Sequence, residues 1–362
     1  MYNKINLAKC LGLLILFTSV IACKDGQKKG DEVLSEANAL KEENVRLVQN
    51  EEEKKVDVFI DGKLFTSYMQ TDEKPVLYPI NTARGTAITR GYPLEPRQGE
   101  RVDHPHHIGL WFNYGDVNGL DFWNNSYAIP EDEKDKFGSI VHKEFKNVSS
   151  GDEGILEVSM EWVGPEGDAL LEENTTFIFR GTENKRTIDR ITTLTALGKD
   201  VSMKDNKEGM LGIRVARQLE QPSEGSGKFT DASGNVTEVK SMDNTGITGM
   251  YRSSEGIEGD DVWGTRGEWV NLSGEIQGEK ISVAILDHPD NVGYPTYWHA
   301  RGYGLFAANP LGQKQLSDGK EELNFSLSAG ESVTFKYRIV IFSGEKVGDD
   351  KIDSEFNEFR GN

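Results

Sequence analysis

Val56-Asp57-Val58-Phe59-Ile60, then Asp61-Gly62, then Lys63-Leu64-Phe65 is the stretch on which the fold turns. Apolar residues at alternate positions put one face of an extended chain on a core and leave the other wet, the period of a strand and not of a helix. Asp-Gly between the two runs tolerates positive φ, so the stretch predicts a tight hairpin. Outward from it, short runs of the same kind recur at 155–163, 175–179, 186–197, 211–219, 268–272, 280–286 and 332–342, punctuated by Gly, Asn, Asp and Pro. The one convincing late helix stands at 349–359. Many short strands with so little helix predict an all-β chain, a large antiparallel β-sandwich with a short C-terminal helix. No repeat and no second boundary interrupts the pattern, so residues 45–362 read as a single β-sandwich catalytic domain.

Ahead of residue 45 the composition changes. Lys4 and Lys9 precede a short apolar run, residues 11–21, that leads into Val20-Ile21-Ala22-Cys23. The run is well below the ~20 residues that cross a bilayer, so 1–22 reads as a secretory signal peptide. The cysteine that follows resembles the acylated residue of bacterial lipoproteins. Lipidation of Cys23 would hold the mature chain on a membrane by lipid, at the outer membrane and facing the periplasm or the cell surface. Residues 23–44 are rich in Lys, Asp, Glu, Gly and Ser and read as a flexible tether. A short helix over 32–43 would carry only a thin apolar stripe.

The 362-residue chain has a formal net charge of −19 and two cysteines. Cys10 and Cys23 both fall in the signal and its cleavage site, so the mature fold has no disulfide, catalytic thiol or thiolate ligand. Losing residues 1–22 removes Lys4 and Lys9 and no acid, which takes the charge to −19 − 2 = −21. This charge argues against nucleic acid as a partner, because duplex binding needs a basic face. It does not argue against an anionic oligosaccharide, because a few clustered arginines bind an anion even on an acidic protein.

Two stretches do not read as ordinary sandwich. The first runs Arg101-Val-Asp-His-Pro-His-His-Ile-Gly-Leu-Trp111 and on to Trp123; the second runs from Asp287-His-Pro through Tyr297-Trp-His-Ala-Arg-Gly-Tyr303. Five of the six histidines lie in them, which is too dense for scattered packing residues. Arg, Tyr and Trp beside Gly and Pro are the mix expected of a rigid sugar pocket, where aromatic faces stack on pyranose rings. In a third stretch Lys207, Glu208 and Arg214 surround a turn that leads into a strand. Trp263 offers a further wall.

At these residues the chain resembles the PmoA-like family of exported β proteins. The resemblance rests on Asp103-His-Pro-His-His-Ile-Gly-Leu-Trp111, Gly115-Asp-Val-Asn-Gly-Leu-Asp-Phe-Trp123, Lys207-Glu-Gly-Met-Leu-Gly-Ile-Arg214 and His288-Pro to Trp298-His-Ala-Arg301. It extends from about Val45 to Glu345. It implies a sugar-mutarotase-like supersandwich and a place in polysaccharide utilisation. The chain is also similar to an oligosaccharide dehydratase of ulvan breakdown. The family's label borrows the name of a methane-oxidising membrane subunit, and nothing functional follows from the label.

Chemistry then suggests a carbon–oxygen lyase that eliminates across C4–C5 of a terminal uronic acid. Such an enzyme must neutralise the carboxylate, supply a base and protonate the departing oxygen. His106, His107, His299, Tyr297 and Arg301 are the candidates for catalysis. Arg90, His104, Glu208, Arg214, Trp263 and His288 are the candidates for binding substrate. Loss of water makes the enzyme a dehydratase, and loss of a sugar makes it a polysaccharide lyase. A glycoside hydrolase would instead need two carboxyl groups, drawn from Glu208, Asp103, Asp116 and Asp121. A non-catalytic glycan-binding lipoprotein would need aromatics alone. No cofactor is required, although His104 and His106 would suit a divalent metal.

Overall fold

In the computed structural model, residues 44–361 are described; the signal peptide, Cys23 and nearly all of the tether lie outside them. The opening hairpin forms as its sequence requires. Strand Lys55–Ile60 pairs antiparallel with Lys63–Gln70, and the turn places Asp61 at φ 51° and Gly62 at φ 71°.

The hairpin belongs to an eight-stranded sheet. Edge to edge it runs Val45–Asn50, Lys55–Ile60, Lys63–Gln70, Pro75–Ile80, Leu110–Tyr114, Gly209–Arg214, Leu305–Asn309 and Tyr297–Arg301. A second eight-stranded sheet runs Met250–Ser253, Trp269–Ile276, Glu279–Asp287, Ser332–Ser343, Lys185–Ala196, Ala169–Thr182, Gly154–Val163 and Ser139–Ser149. The pairings are antiparallel throughout both sheets.

The inner faces share one core that includes Val58, Leu77 and Phe112 from the first sheet and Phe177, Val283 and Ile339 from the second. The chain is thus an all-β antiparallel sandwich. The C-terminal helix, Asp349–Phe359, lays Ile352, Phe356 and Phe359 on the outer face of the second sheet, against Trp269, Leu286 and Val340.

One expected strand is shorter than its sequence suggests. The apolar run 211–219 leaves the sheet after Arg214, and Arg217–Leu219 turns as a 3-10 helix. Arg217 and Arg101 both reach the buried Glu220 carboxylate there, at 2.7 Å each, and this network bends the chain away.

Candidate active site

Alternation along three strands decides which side chains leave the core. On Tyr297–Arg301, Trp298 and Ala300 point inward, so Tyr297, His299 and Arg301 project from the outer face of the first sheet. On Gly209–Arg214, Leu211 and Ile213 point inward and Arg214 outward. On Leu110–Tyr114 the outward aromatic residue is Trp111, which joins Trp123 and Ile108 in a small outer cluster. Gly212 lies beneath both indoles. A Cβ there would stand 2.6 Å from the Trp111 ring, so the close approach requires glycine.

Over this floor the loop 103–107 is held by its backbone. Arg90 donates to the carbonyls of Asp103, His104 and His107 at 2.9, 3.0 and 3.1 Å, and Lys74 donates to that of His106 at 2.9 Å. Both cations are buried. The Asp103 carboxylate adds a second tie, because its Oδ1 accepts from Arg90 at 2.5 Å and from Arg214 at 2.8 Å. Burial pushes the Asp103 pKa up, but the His104 hydrogen bond, Arg214 and Arg90 outweigh it and hold the carboxyl well below the usual carboxylate range.

The loop's histidines then build a column of rings. Tyr303, His104, His107 and Trp111 stack nearly parallel, with successive centroids 5.1, 4.8 and 5.1 Å apart. His106 meets His104 and His107 edge-on, at 5.7 and 4.3 Å. Arg214 can only donate, so its 3.0 Å contact fixes His107 Nδ1 as acceptor and puts the proton on a buried Nε2 without a hydrogen-bond partner. His107 is a structural member of the column. Its expected catalytic role does not survive this burial.

His299 is arranged the other way round. Its Nδ1–H donates to the Lys207 carbonyl at 2.9 Å, which leaves the lone pair on Nε2. Burial and then Arg301 push its pKa down to about 3; burial and then Lys74 push that of His106 down to about 2. Both are neutral at neutral pH.

Arg301 is exposed, and its guanidinium makes no hydrogen bond or ion pair among the described residues. It lies 5.3 Å above the Trp263 ring. Trp263 arrives there because the segment after it covers the free edge of Tyr297–Arg301: Gly264 donates to the Trp298 carbonyl at 2.9 Å, and Trp298 donates to that of Thr265 at 3.0 Å. Glu208 pairs with Lys207 at 3.2 Å and lies 3.9 Å from His299.

His104, His106, His299, Arg301, Glu208 and Trp263 therefore come together as expected, and besides that of His107 four further assignments change. Arg90 and Arg214 are buried clamps whose terminal guanidinium nitrogens are tied to Asp103 and the loop, so neither presents its fork to a substrate carboxylate. Tyr297 is buried under the Arg266 guanidinium, 4.3 Å from its ring, and packs the strand. His288 sits elsewhere. Its Nδ1 accepts from the Asp290 amide, and its ring abuts Phe359 of the C-terminal helix at 5.1 Å. No three His, Cys, Asp or Glu side chains among the described residues group to hold a metal ion. Tyr303 and Lys74 were missed as site residues. Tyr303 ends the second histidine-bearing stretch, a signal that was available, whereas nothing near Lys74 in sequence marks it.

A family model described as "Family of unknown function (DUF6807)" matches residues 55–357. No curated protein matches the sequence. Among solved structures, a GH36 α-galactosidase from Geobacillus stearothermophilus is 12% identical with a TM-score of 0.39, over 83% of this chain and 41% of that one. The chain thus spans about two fifths of that enzyme's length. A galactose mutarotase-like protein from Clostridium acetobutylicum is 10% identical with a TM-score of 0.32, over 82% of this chain and 98% of that one. A galactose mutarotase related enzyme from Lactobacillus acidophilus gives 9% and 0.30, over 83% and 98%.

Proposed function

Because the chain belongs to the DUF6807 family, whose function is unknown, we propose chiefly from the site that it acts on a uronate-containing oligosaccharide by elimination across C4–C5. The observation that carries this reading is Arg301, an unpaired guanidinium beside a neutral histidine whose Nε2 holds a lone pair. A planar fork suits a carboxylate, and a nearby base suits the weakly acidic proton next to it.

In this scheme Arg301 takes the uronate carboxylate. That also offsets the Arg301 field, which after burial is the largest influence lowering the His299 pKa, so the bound carboxylate makes His299 a better base. His299 Nε2 accepts the C5 proton, the C5–H electrons form the C4–C5 double bond, and the C4–O bond breaks. Tyr303, whose pKa burial raises, keeps its proton for the departing oxygen. His104 and His106 line the approach. A water leaving group makes this a dehydratase, the outcome that the sequence's similarity to an oligosaccharide dehydratase of ulvan breakdown would imply. The N-terminal signal and Cys23 support a lipid-anchored setting for such work.

The competing hydrolase is disfavoured by the carboxylates. Asp103 is locked as an anion between two arginines. Asp121 accepts from the Trp123 and Asn124 amides, and Asp116 from the Gly119 amide, so both serve turns. Of the four acids, Glu208 alone remains, and hydrolysis takes two.

Incubation with uronate oligosaccharides, read by ultraviolet absorbance and mass, tests the proposal. A conjugated double bond with loss of one water is the expected result. The same chromophore with chain cleavage would make the protein a lyase. Cleavage without a chromophore, or binding without turnover, would overturn elimination.

A further inference from the structure

Beside the site stand two tyrosines that the proposed chemistry leaves unused. The Tyr127 side chain is 64% exposed, the most of any large apolar or aromatic residue among those described. Its hydroxyl lies 2.7 Å from that of Tyr92. The Arg90 guanidinium covers the Tyr92 ring at 5.3 Å, and Arg90 is the clamp of the histidine loop. Arg90 and Asp103 both act on the Tyr92 hydroxyl, Asp103 ties to His104, and His104 stacks on Tyr303. Arg301 in turn acts on Tyr303. The pair is therefore one end of a continuous row whose other end is Arg301.

An exposed aromatic face usually costs solubility. Here the hydroxyl contact fixes Tyr127 in place, so stacking a ring on it costs little side-chain entropy. One of the two hydroxyls donates to the other, which leaves one O–H free for a sugar hydroxyl. The ring itself carries no charge to recognise an acid group.

We propose that Tyr127 and Tyr92 form a second subsite, which stacks the apolar face of an internal sugar ring while the terminal uronate occupies Arg301. The inference rests on the oligosaccharide reading above. It makes the ligand a chain of at least two sugars.

Calorimetric titration with glucuronic acid and with a glucuronate-ended tetrasaccharide from ulvan tests it without requiring turnover. Tyr127→Ala should weaken tetrasaccharide binding on the order of tenfold, the scale of one stacking contact, and leave glucuronic acid unchanged. Tyr92→Phe, which removes the fixing hydroxyl, should give a smaller loss in the same direction. Equal loss for both ligands, or no loss for either, overturns the subsite. If the parent binds the tetrasaccharide but does not turn it over, elimination fails and the subsite stands. If the parent binds neither, both fail.

Discussion

Arg301 and Arg214 project from the same face of one sheet and do opposite jobs. Arg214 is fully buried, shared between Asp103 and His107, whereas Arg301 is exposed and unpaired. Replacing Arg301 by Lys should therefore cut kcat/KM for a uronate substrate by ~10²-fold, because an ammonium cannot grip both carboxylate oxygens. The melting temperature should hardly move. Asp103→Asn should do the reverse in emphasis, costing roughly 2–4 kcal/mol of stability by leaving two buried cations less compensated. Comparable melting temperatures for the two variants would contradict this division. The histidines give a pH signature as well. His106, His107 and His299 have folded pKa values pushed below the ordinary ~6.5. Below that pH the unfolded chain binds more protons, so stability falls as pH drops, by up to ~1.4 kcal/mol per pH unit for each histidine. Asp287, which burial raises to about 7, opposes one of them between its unfolded value of about 4 and pH 7. His106→Gln should thus flatten the stability curve between about pH 4 and 5.5 by close to one proton, measured by denaturant unfolding. A curve as steep as the parent's would mean that His106 titrates normally.

The element on which the proposed chemistry rests is the edge strand Tyr297–Arg301. An edge strand has one unpaired side, and here the segment around Thr265 covers it. Arg266 completes the fastening by donating to the Gly293 and Pro295 carbonyls at 2.9 and 2.7 Å and by covering Tyr297. Arg266→Met should keep the fold, raise KM several-fold and lower kcat less, because His299 and Arg301 would be placed less firmly rather than removed. Unaltered kinetics in this variant would show that the strand holds its position without Arg266. Elements of this kind were the legible part of the sequence. The hairpin at Asp61-Gly62 and the helix Asp349–Phe359 stand where local pattern put them, because alternation and turn chemistry act over a few residues. The clamp was not legible. Arg214 and Asp103 are 111 residues apart, and nothing local distinguishes a buried arginine spent on a loop from one free for substrate. The same limit hid Lys74. Its task is to hold the His106 carbonyl, 32 residues away.

At the scale of the whole molecule, the chain passes repeatedly between two sheets, and the site gathers loop 103–107, the end of Gly209–Arg214, the turn at Trp263 and the edge strand. The two histidine-rich stretches betrayed most of it. His288 misled because sequence density does not show which sheet a residue serves, and it packs under the C-terminal helix instead. Charge is the property that sequence reads most directly, and it sets up the last test. With a formal net charge of −19 over the sequence, the protein as a whole repels a polyanionic oligosaccharide, while in the proposed binding mode Arg301 attracts its carboxylate at contact. The two effects have different ranges. Long-range repulsion is screened once the Debye length shrinks to about 8 Å near 0.15 M salt, while a contact pair persists to higher salt. For a uronate oligosaccharide, kcat/KM should therefore rise several-fold between about 0.01 and 0.15 M NaCl and fall again above that. Arg301→Ala should keep the rise at its lower activity and lose the later fall, since only the contact pair is gone. A neutral oligosaccharide of equal length should show neither limb. If kcat/KM instead falls steadily from the lowest salt, the substrate is being steered by positive charge, and an anionic ligand at this acidic surface would need another explanation.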